Sequence, residues 1–316
     1  MLGFLARRLL YLVPVLLAVS LLTFLIASLL PGDLAYVTLG DQATPENVEA
    51  LRRDLGLDQP IWWRYIGWLG HVLEGDLGRS FRTGQTVLQA VVERFPVSFE
   101  LMLFAELIGL AIGVPIAIAC AARSGGPFDR FMTGTAFAML SVPTFLSAIL
   151  LIYLFAVQLR WLPATGYVSL SEHPLANLRF FVLPALTLGM AEWPGIMRVL
   201  RSDMIATLQE DYIALARAKG LKPWRILFVH ALKPSSLTLV TVTGINIGRL
   251  MGGTVIVETI FALPGIGRLL VSAIGTRDLI ILQGVVLCVA CGYVLINFIV
   301  DMLYAVLDPR IRHGHA

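Results

Sequence analysis

The sequence predicts an all-α integral membrane protein with six transmembrane helices. Hydrophobic residues make up 57% of its 316 residues and charged residues only 14%, whereas a soluble domain is nearer half apolar and a quarter charged. Six apolar runs each approach the ~20 residues that a helix needs to cross about 30 Å of hydrocarbon. Backbone groups in lipid must be hydrogen-bonded within their own segment, so we expect each run to be a helix.

The six runs follow one another along almost the whole chain. They lie at about Leu9–Leu30, Leu101–Ala122, Met132–Val157, Phe180–Leu200, Leu237–Val257 and Ile280–Leu303. Pro115 in the second run and Pro143 in the third predict kinks, because proline removes a helix hydrogen bond. Arg7 and Arg8 precede the first run as in a signal peptide, but this run is longer than a signal-peptide core and five more follow. We therefore expect it to be a retained span.

Three regions follow from these runs. Residues 1–30 form the cytosolic N-terminus and first span, and residues 31–96 form an extracytoplasmic loop with short helices. Residues 97–316 form the transmembrane domain, which includes a cytosolic loop at 201–234. The extracytoplasmic loop carries an aromatic cluster of Trp62, Trp63, Tyr65 and Trp68. This cluster is typical of an aromatic belt at the membrane surface, and a landing surface for a solute-binding protein is the alternative.

The distribution of cations predicts the orientation of the chain. With the N-terminus inside, the cytosolic segments hold 13 cations and the two short outer loops hold 4. The cytosolic cations are Arg7, Arg8, Arg123, Arg130, Arg198, Arg201, Arg217, Lys219, Lys222, Arg225, Lys233, Arg310 and Arg312, and the outer ones are Arg160, Arg179, Arg268 and Arg277. Short cytosolic loops are enriched in Lys and Arg, so both termini are predicted to face the cytosol.

The same sequence argues against several functional classes. A net charge of +3 without a basic-aromatic cluster gives no reason to expect a nucleic acid partner. The phosphate-binding pattern G-x-x-x-x-G-K-[ST] is absent, as are H-E-x-x-H and G-x-S-x-G. Cys288 and Cys291 have C-x-x-C spacing but stand in an apolar run, where packing is the expected role. We therefore expect no catalytic residue, no metal site and no cofactor in this chain.

Two ionisable residues stand deep inside the apolar runs, namely Glu192 in the fourth and Arg249 in the fifth. At ~1.5 Å per residue, each lies roughly 18 Å from the start of its run, so both fall near the middle of the membrane. An unpaired charge there is costly, which predicts pairing or a wet cavity. The pair could line the solute path, form a structural ion pair, or contact water or another subunit separately. Glu106 and Asp301 are expected nearer the ends of their runs, within reach of water.

Glycines recur at helical spacing in two of the runs. Gly244, Gly248 and Gly252 stand four residues apart in the fifth run, and Gly109 and Gly113 do so in the second. Such faces let another helix approach closely. The sequence leaves open whether that helix belongs to this chain or to a second subunit.

A polar, cation-rich stretch from Asp211 to Thr241 separates the fourth and fifth runs. Ser202 and Asp203 fit a helix start, Gly220 fits the position after a helix end, and Pro223 fits the first turn of a second helix. Two short helices and a glycine turn are typical of a docking surface, and a loop lying on the lipid headgroups is the alternative.

Four motifs in this order resemble one family, the membrane subunits of dipeptide, oligopeptide and nickel ABC importers. They are PGD at 31–33, ARAKGL at 216–221 with HAL at 230–232, ETIFALPGIGR at 258–268 and LDPRIR at 307–312. The resemblance covers most of the chain. In the broader family the cytosolic loop begins Glu-Ala-Ala, whereas here Ala214, Leu215 and Ala216 occupy those places.

The resemblance implies a type I ABC importer permease with cytosolic coupling helices, placed in the bacterial inner membrane. It assigns ATPase coupling to Ala216, Arg217, Ala218, Gly220, His230 and Leu232. It also implies a second permease that is a different chain, two ATP-binding subunits that bind the ATP, and an extracytoplasmic solute-binding protein. Peptides are the expected cargo, and nickel chelates, glutathione or another small solute are alternatives. A self-sufficient secondary transporter would predict inverted repeats, which the sequence does not display, and a structural membrane scaffold is a third reading.

Overall fold

The computed structural model describes residues 2–29, 36, 43–54, 56, 58–80 and 82–307. In this part of the chain the regular elements are helices, and the one β-type pairing is an isolated bridge between Arg79 and Thr86. The helices are α1 (Leu2–Leu29), α2 (Pro45–Asp54), α3 (Ile61–Leu73), α4 (Val87–Ala122), α5 (Pro127–Leu140), α6 (Thr144–Leu151), α7 (Pro174–Leu208), α8 (Asp211–Ala218), α9 (Pro223–Arg225), α10 (Leu232–Ile260), α11 (Ile266–Thr276) and α12 (Leu279–Leu307). Two π-helical segments follow α6 and α9, at Ile152–Gln158 and Ile226–Ala231.

The all-helical prediction is confirmed for the described residues, and four helical stretches are long and apolar enough to cross a membrane. They are Val87–Ala122, Pro174–Leu208, Pro223–Ile260 and Leu279–Val300. A fifth span results if the two halves of the bent third run are counted together. The first run coincides with α1, whose apolar part, Leu12–Ile26, is shorter than the others.

The third apolar run is sharply bent. Its halves, Pro127–Leu140 and Thr144–Gln158, meet at 98°. Ser141 caps the first half, and Pro143 is the residue before the second half begins. Because proline disfavours helical geometry in the residue before it, the chain breaks here, and the kink predicted at Pro143 is confirmed. Pro115, by contrast, lies within the continuous helix α4.

The chain divides into two compact units, and the larger comprises residues 98–263 and 296–316. In it, α7 packs against α4, α5, α6 and α10. Its core is apolar and comes from four elements, with the buried residues Ala117, Ala121, Ala136, Trp193, Met197, Leu200, Met204 and Ala231. This core lies beside the polar stretch that connects α7 to α10.

Glycine allows α4 and α7 to approach closely. A Cβ at Gly113 would lie 2.9 Å from the Trp193 carbonyl oxygen, and one at Gly189 would lie 3.0 Å from the Ala105 carbonyl oxygen. In α10 the glycines do not share one partner. Gly244 meets the side chain of Val300, whereas Gly252 has open space beside it. The close helix predicted for the fifth run is therefore α12 of this same chain at Gly244.

The smaller unit comprises residues 1–97 and 264–295. Here α3 lies against α1, and the Phe24 ring contacts the rings of Tyr65 and Trp68 at centroid distances of 5.5 and 5.7 Å. The Tyr65 hydroxyl is also 2.8 Å from the Ser20 hydroxyl. The aromatic cluster of the extracytoplasmic loop is thus divided, because Trp62 and Trp63 remain exposed.

Some boundaries differ from the predicted ones. Ser202 and Asp203 do not begin a helix, because α7 continues through them to Leu208. Residues 201–208, predicted as part of the cytosolic loop, therefore belong to a long helix. The helix start predicted at Ser202 and Asp203 is wrong because the apolar run ends at Leu200, whereas polar side chains continue the same helix to Leu208. The motifs PGD at 31–33 and DPRIR at 308–312 lie outside the described residues.

Candidate functional site

The connection between α7 and α10 is built from two short helical segments, which we call the coupling loop (residues 209–231). Its first helix, α8, ends at Ala218, Lys219 is the C-cap residue, and Gly220 follows with a φ of 74°. The Leu221 amide donates to the Ala216 carbonyl at 3.2 Å, and the Gly220 amide donates to the Arg217 carbonyl at 2.9 Å. These two bonds form a Schellman motif, which favours glycine at the left-handed position. The predicted position of Gly220 is confirmed.

The second half of the coupling loop starts where the sequence predicts. Lys222 has an extended backbone and Pro223 occupies the first turn of α9. Proline is well tolerated there because its missing N–H would have had no helical partner. The chain continues through the π-helical segment Ile226–Ala231 directly into α10. Ala231, the last residue of the coupling loop, is fully buried in the larger unit's core. This packing holds the end of the coupling loop and the first turn of α10, which we call its foot, in place.

The two halves of the coupling loop are held together by packing and by one long-range hydrogen bond. The buried face of α8 consists of Ile213 and Ala216. The Tyr212 hydroxyl donates to the His230 carbonyl at 3.2 Å, across 18 residues of chain. Burial, assisted by the nearby Glu210, raises the pKa of the Tyr212 phenol. The phenol therefore remains protonated and keeps its donor at neutral pH.

The opposite face of the coupling loop is exposed and carries large apolar side chains. Leu215, Trp224 and Phe228 are 56%, 58% and 50% exposed. An exposed cluster of this kind with cations around it is typical of a protein contact surface. The residues assigned to coupling divide between the two faces. Arg217, Ala218 and Gly220 are exposed, Ala216 is buried, and His230 and Leu232 are half-buried.

The second candidate site lies in the larger unit, where α7 meets α10. The Nη2 atom of Arg249 is 2.5 Å from the Oε2 atom of Glu192. The contact expected from the depths of the two residues is therefore present. The partners differ in exposure, because the Glu192 side chain is 7% exposed and the Arg249 side chain is 63% exposed. The pair can hold a buried carboxylate while presenting a guanidinium at the surface of this chain.

Glu106 lies beside this pair, which its sequence position did not indicate. We expected it near the end of its run in contact with water, but it is only 3% exposed. It stands within electrostatic range of Glu192 and Arg249. The reason is the close approach of α4 to α7, since a Cβ at Gly109, one turn away, would lie 3.1 Å from Glu192 Cβ. The Thr243 hydroxyl lies close to the Glu106 carboxylate, but neither carboxylate oxygen has a donor that meets both distance and angle for a hydrogen bond.

A third charged contact, which the sequence analysis missed, lies between Asp129 of α5 and Arg201 of α7. Arg201 donates through Nε to Oδ1 at 2.5 Å and through Nη2 to Oδ2 at 2.6 Å. The Gly125 amide also donates to Asp129 Oδ2 at 2.8 Å. In the sequence, Arg201 stands out only as a cytosolic cation. The one signal of a charged contact is Asp129, an acidic residue in the first turn of a helix. The contact fixes α7 just before the coupling loop.

The first residues of the motif at 258–268 form the end of α10 and its contact with α4. Glu258 is fully buried, and the Ser98 hydroxyl donates to its Oε1 atom at 2.6 Å. Ala262 has a φ of 57°, and the Leu263 amide closes the end of α10 on the Glu258 carbonyl at 2.9 Å. These contacts tie the end of α10 to α4. Asp301, the remaining ionisable residue of the spans, has a side chain outside the described part of the structure.

Comparison with known proteins identifies the family. The family described as binding-protein-dependent transport system inner membrane component matches residues 113–313, and its N-terminal counterpart matches residues 1–102. A protein of Brucella abortus named for a peptide transport system permease is 42% identical over 97% of this chain and 98% of the relative. The dipeptide transport system permease protein of Escherichia coli K12 is 37% identical over 99% of both chains.

Comparison with solved structures gives the same fold. A chain from the inward-facing MetNI methionine ABC transporter superposes with a TM-score of 0.56, over 70% of this chain and 97% of that chain. The identity is 18%, so this likeness concerns the fold alone. The two family matches, by contrast, together span most of the chain. This chain therefore belongs to the family of binding-protein-dependent transport system inner membrane components.

Proposed function

We propose that this chain is one membrane-spanning subunit of an ATP-driven importer and forms part of the translocation path for peptides. The observation that carries the proposal is identity of 37% or more, over 97% or more of the chain, to permeases named for peptide or dipeptide transport. In this proposal the chain crosses the inner membrane six times with both termini in the cytosol. It has no catalytic residue and no cofactor of its own.

The energy source is a pair of ATP-binding subunits that dock on the coupling loop. What supports this is its exposed apolar face, Leu215, Trp224 and Phe228, beside Arg217 and Lys219. The loop is stiffened by its Schellman motif and is continuous with the foot of α10. A movement of the ATP-binding subunits would therefore move α10 as a rigid body and alternate the access of the solute path. A second permease subunit, a different chain in this proposal, and an extracytoplasmic solute-binding protein complete the importer.

Glu192 and Arg249 are placed beside the solute path. The support is the unequal exposure of the pair, since a guanidinium that is 63% exposed in the middle of a span requires water or a partner around it. The Glu192 carboxylate could bind the amino terminus of a short peptide, and the Arg249 guanidinium could bind its carboxyl terminus. A purely structural pair remains the alternative.

The decisive experiment is purification of the tagged chain from its native membrane, followed by reconstitution into proteoliposomes with the co-purified proteins. We expect a second permease and two ATP-binding subunits in the complex. Adding the solute-binding protein with dipeptides or tripeptides should stimulate ATP hydrolysis, whereas nickel chelates and glutathione should not. Purification of this chain alone, with solute uptake driven by an ion gradient, would instead identify a secondary transporter.

A further inference from the structure

A cavity of about 400 Å³ lies within the smaller unit and shares no lining residue with the sites described above. It is bounded by α3, by the last turns of α1 around Phe24 and Ser28, and by the first turns of α12 around Ile280. Its volume falls in the ~300–1,000 Å³ range of small-molecule sites. In the six-span topology, the end of α1 and the start of α12 lie at the outer face of the membrane. The cavity therefore lies at the depth of lipid headgroups.

The walls of this cavity differ in chemistry. One side is apolar and is formed by Phe24, Trp68, Leu279 and Ile280. The other side carries nitrogen donors, among them the Arg64 guanidinium and the Gln283 side-chain amide. An amphipathic molecule with an anionic head fits this division, because its head and its apolar part would each find a matching wall.

No carboxylate among the described residues forms an ion pair with Arg64. Its guanidinium carbon lies 5.7 Å from the centroid of the Phe24 ring, and its Nε atom is buried without a hydrogen-bond acceptor. Burial alone lowers the pKa of Arg64, with no carboxylate offsetting the effect. Asp76 is the one acid among the described residues that line the cavity, and its Oδ1 atom accepts from the Gly78 amide at 2.9 Å. A half-buried guanidinium whose Nε atom lacks an acceptor favours an anion brought by a ligand.

The side-chain amide of Gln283 is a second buried donor that lacks an acceptor. Its Nε2 atom is buried and makes no hydrogen bond. An unsatisfied buried donor costs about 1–3 kcal/mol, so such groups are rare outside functional sites. Two unsatisfied donors from different helices, α3 and α12, occur at one cavity. A phosphate group has enough acceptor oxygens to satisfy both, and arginine matches its geometry well.

We propose that this cavity binds the headgroup of an anionic phospholipid, with its phosphate between Arg64 and Gln283 and its acyl chains along Phe24, Leu279 and Ile280. Exposed Trp62 and Trp63 on α3 lie where aromatic side chains anchor to headgroups. The lipid would join α1, α3 and α12 at the outer surface.

The test is native mass spectrometry of the purified importer complex released from micelles containing dioleoyl phosphatidylglycerol or dioleoyl phosphatidylcholine. We expect one tightly held phosphatidylglycerol on this subunit. Arg64→Gln should weaken its retention roughly tenfold, the effect of losing a charge-assisted hydrogen bond, and Gln283→Leu should weaken it less. Arg82→Gln is the matched control, because Arg82 is exposed in the same unit and does not line the cavity.

The arms of the experiment separate the possible outcomes. Equal phosphatidylglycerol retention by Arg64→Gln, Gln283→Leu and Arg82→Gln, at unchanged melting temperature, would overturn the proposal. Equal retention of phosphatidylcholine would show that the negative charge is not recognised and would overturn it too. Displacement of the bound lipid by soluble glycerol 1-phosphate at similar concentration would indicate a site for a free anion instead of a lipid. If Arg64→Gln fails to assemble, Gln283→Leu still decides the question.

Discussion

Arg249 reaches Glu192 from the neighbouring helix at 2.5 Å, and the carboxylate is enclosed while the guanidinium is open at the surface of the chain. The contact is therefore a buried acid with an exposed cation. Since Glu106 is buried beside it, two carboxylates share one nearby guanidinium. Removing the cation is therefore expected to destabilise the chain, whereas removing the carboxylate that lacks the arginine contact is expected to cost little.

Arg249→Gln should destabilise the chain, because it leaves two buried carboxylates without a cation. Removing one member of a fully buried pair typically costs about 3–5 kcal/mol, and we expect a smaller loss here because the Arg249 side chain is 63% exposed. We expect reduced abundance in the membrane and a lower melting temperature in detergent. The exchanged pair Glu192→Arg with Arg249→Glu should recover both if the pair is structural. Recovery of abundance without recovery of peptide uptake would instead support a place on the solute path.

Glu106→Gln should behave differently from Glu192→Gln, although both remove one buried negative charge. Glu106 accepts no hydrogen bond by distance and angle, and Glu192 accepts from Arg249. Neutralising Glu106 should therefore lower the free energy of unfolding less than neutralising Glu192 does, or raise it, because it relieves the repulsion between the two carboxylates. Neutralising Glu192 should lower it. Thermal unfolding of the two variants in the same detergent measures the difference, and equal losses would contradict the assigned geometry.

Gly220→Val should leave the chain in the membrane but weaken the link between ATP hydrolysis and transport. The position has open space for a side chain but a φ of 74°, so the effect comes from backbone strain and not from a clash. Gly134→Val is the control, because it has equal space on α5 and no positive φ. The ratio of ATP hydrolysed to peptide transported in proteoliposomes is the measurement. A normal ratio in Gly220→Val, or an equal change in the control, would rule out the role of this turn.

Arg201→Met should destabilise the junction of α5 and α7. Asp129 is 2% exposed and would lose both bonds from the guanidinium. A loss of about 3–5 kcal/mol is expected. The double variant Asp129→Asn with Arg201→Met should recover much of that loss, since the uncompensated charge is then gone. Thermal unfolding of the single and double variants completes the cycle, and additive losses would argue against a coupled pair.

Gly189→Val should separate α4 from α7, whereas Gly195→Val on the same helix should not. A Cβ at Gly189 would lie 2.6 Å from Ile108 Cγ2, and a Cβ at Gly195 has nothing within 4 Å. Overpacking of this kind typically costs about 1–3 kcal/mol. The two melting temperatures provide the comparison, and similar values would mean that the helices are less tightly packed than described.

The sequence predicts the helical class, the depth at which Glu192 meets Arg249, and the turn at Gly220, because each depends on spacing along one segment. It did not predict the burial of Glu106. That burial depends on which helix passes Gly109, and hydropathy does not contain this information. The end of α7 was misplaced for a related reason, since polar side chains around Asp203 continue the helix beyond Leu200, where the apolar pattern ends. The ion pair of Asp129 with Arg201 likewise requires knowledge of the packing of two helices.

The hydrogen bond from Tyr212 to the His230 carbonyl links the two halves of the coupling loop, so that they can move together. It closes the loop just before α10 begins, and α10 then runs without interruption to Ile260. Arg249 stands 17 residues above Leu232, roughly 26 Å at ~1.5 Å per residue. An unbroken helix hardly shortens under load, so a push on α8 would reach the charged pair as an almost undiminished displacement. In the proposed coupling, the Tyr212 contact and the buried face of α8 would together determine how much of that motion reaches the middle of the membrane.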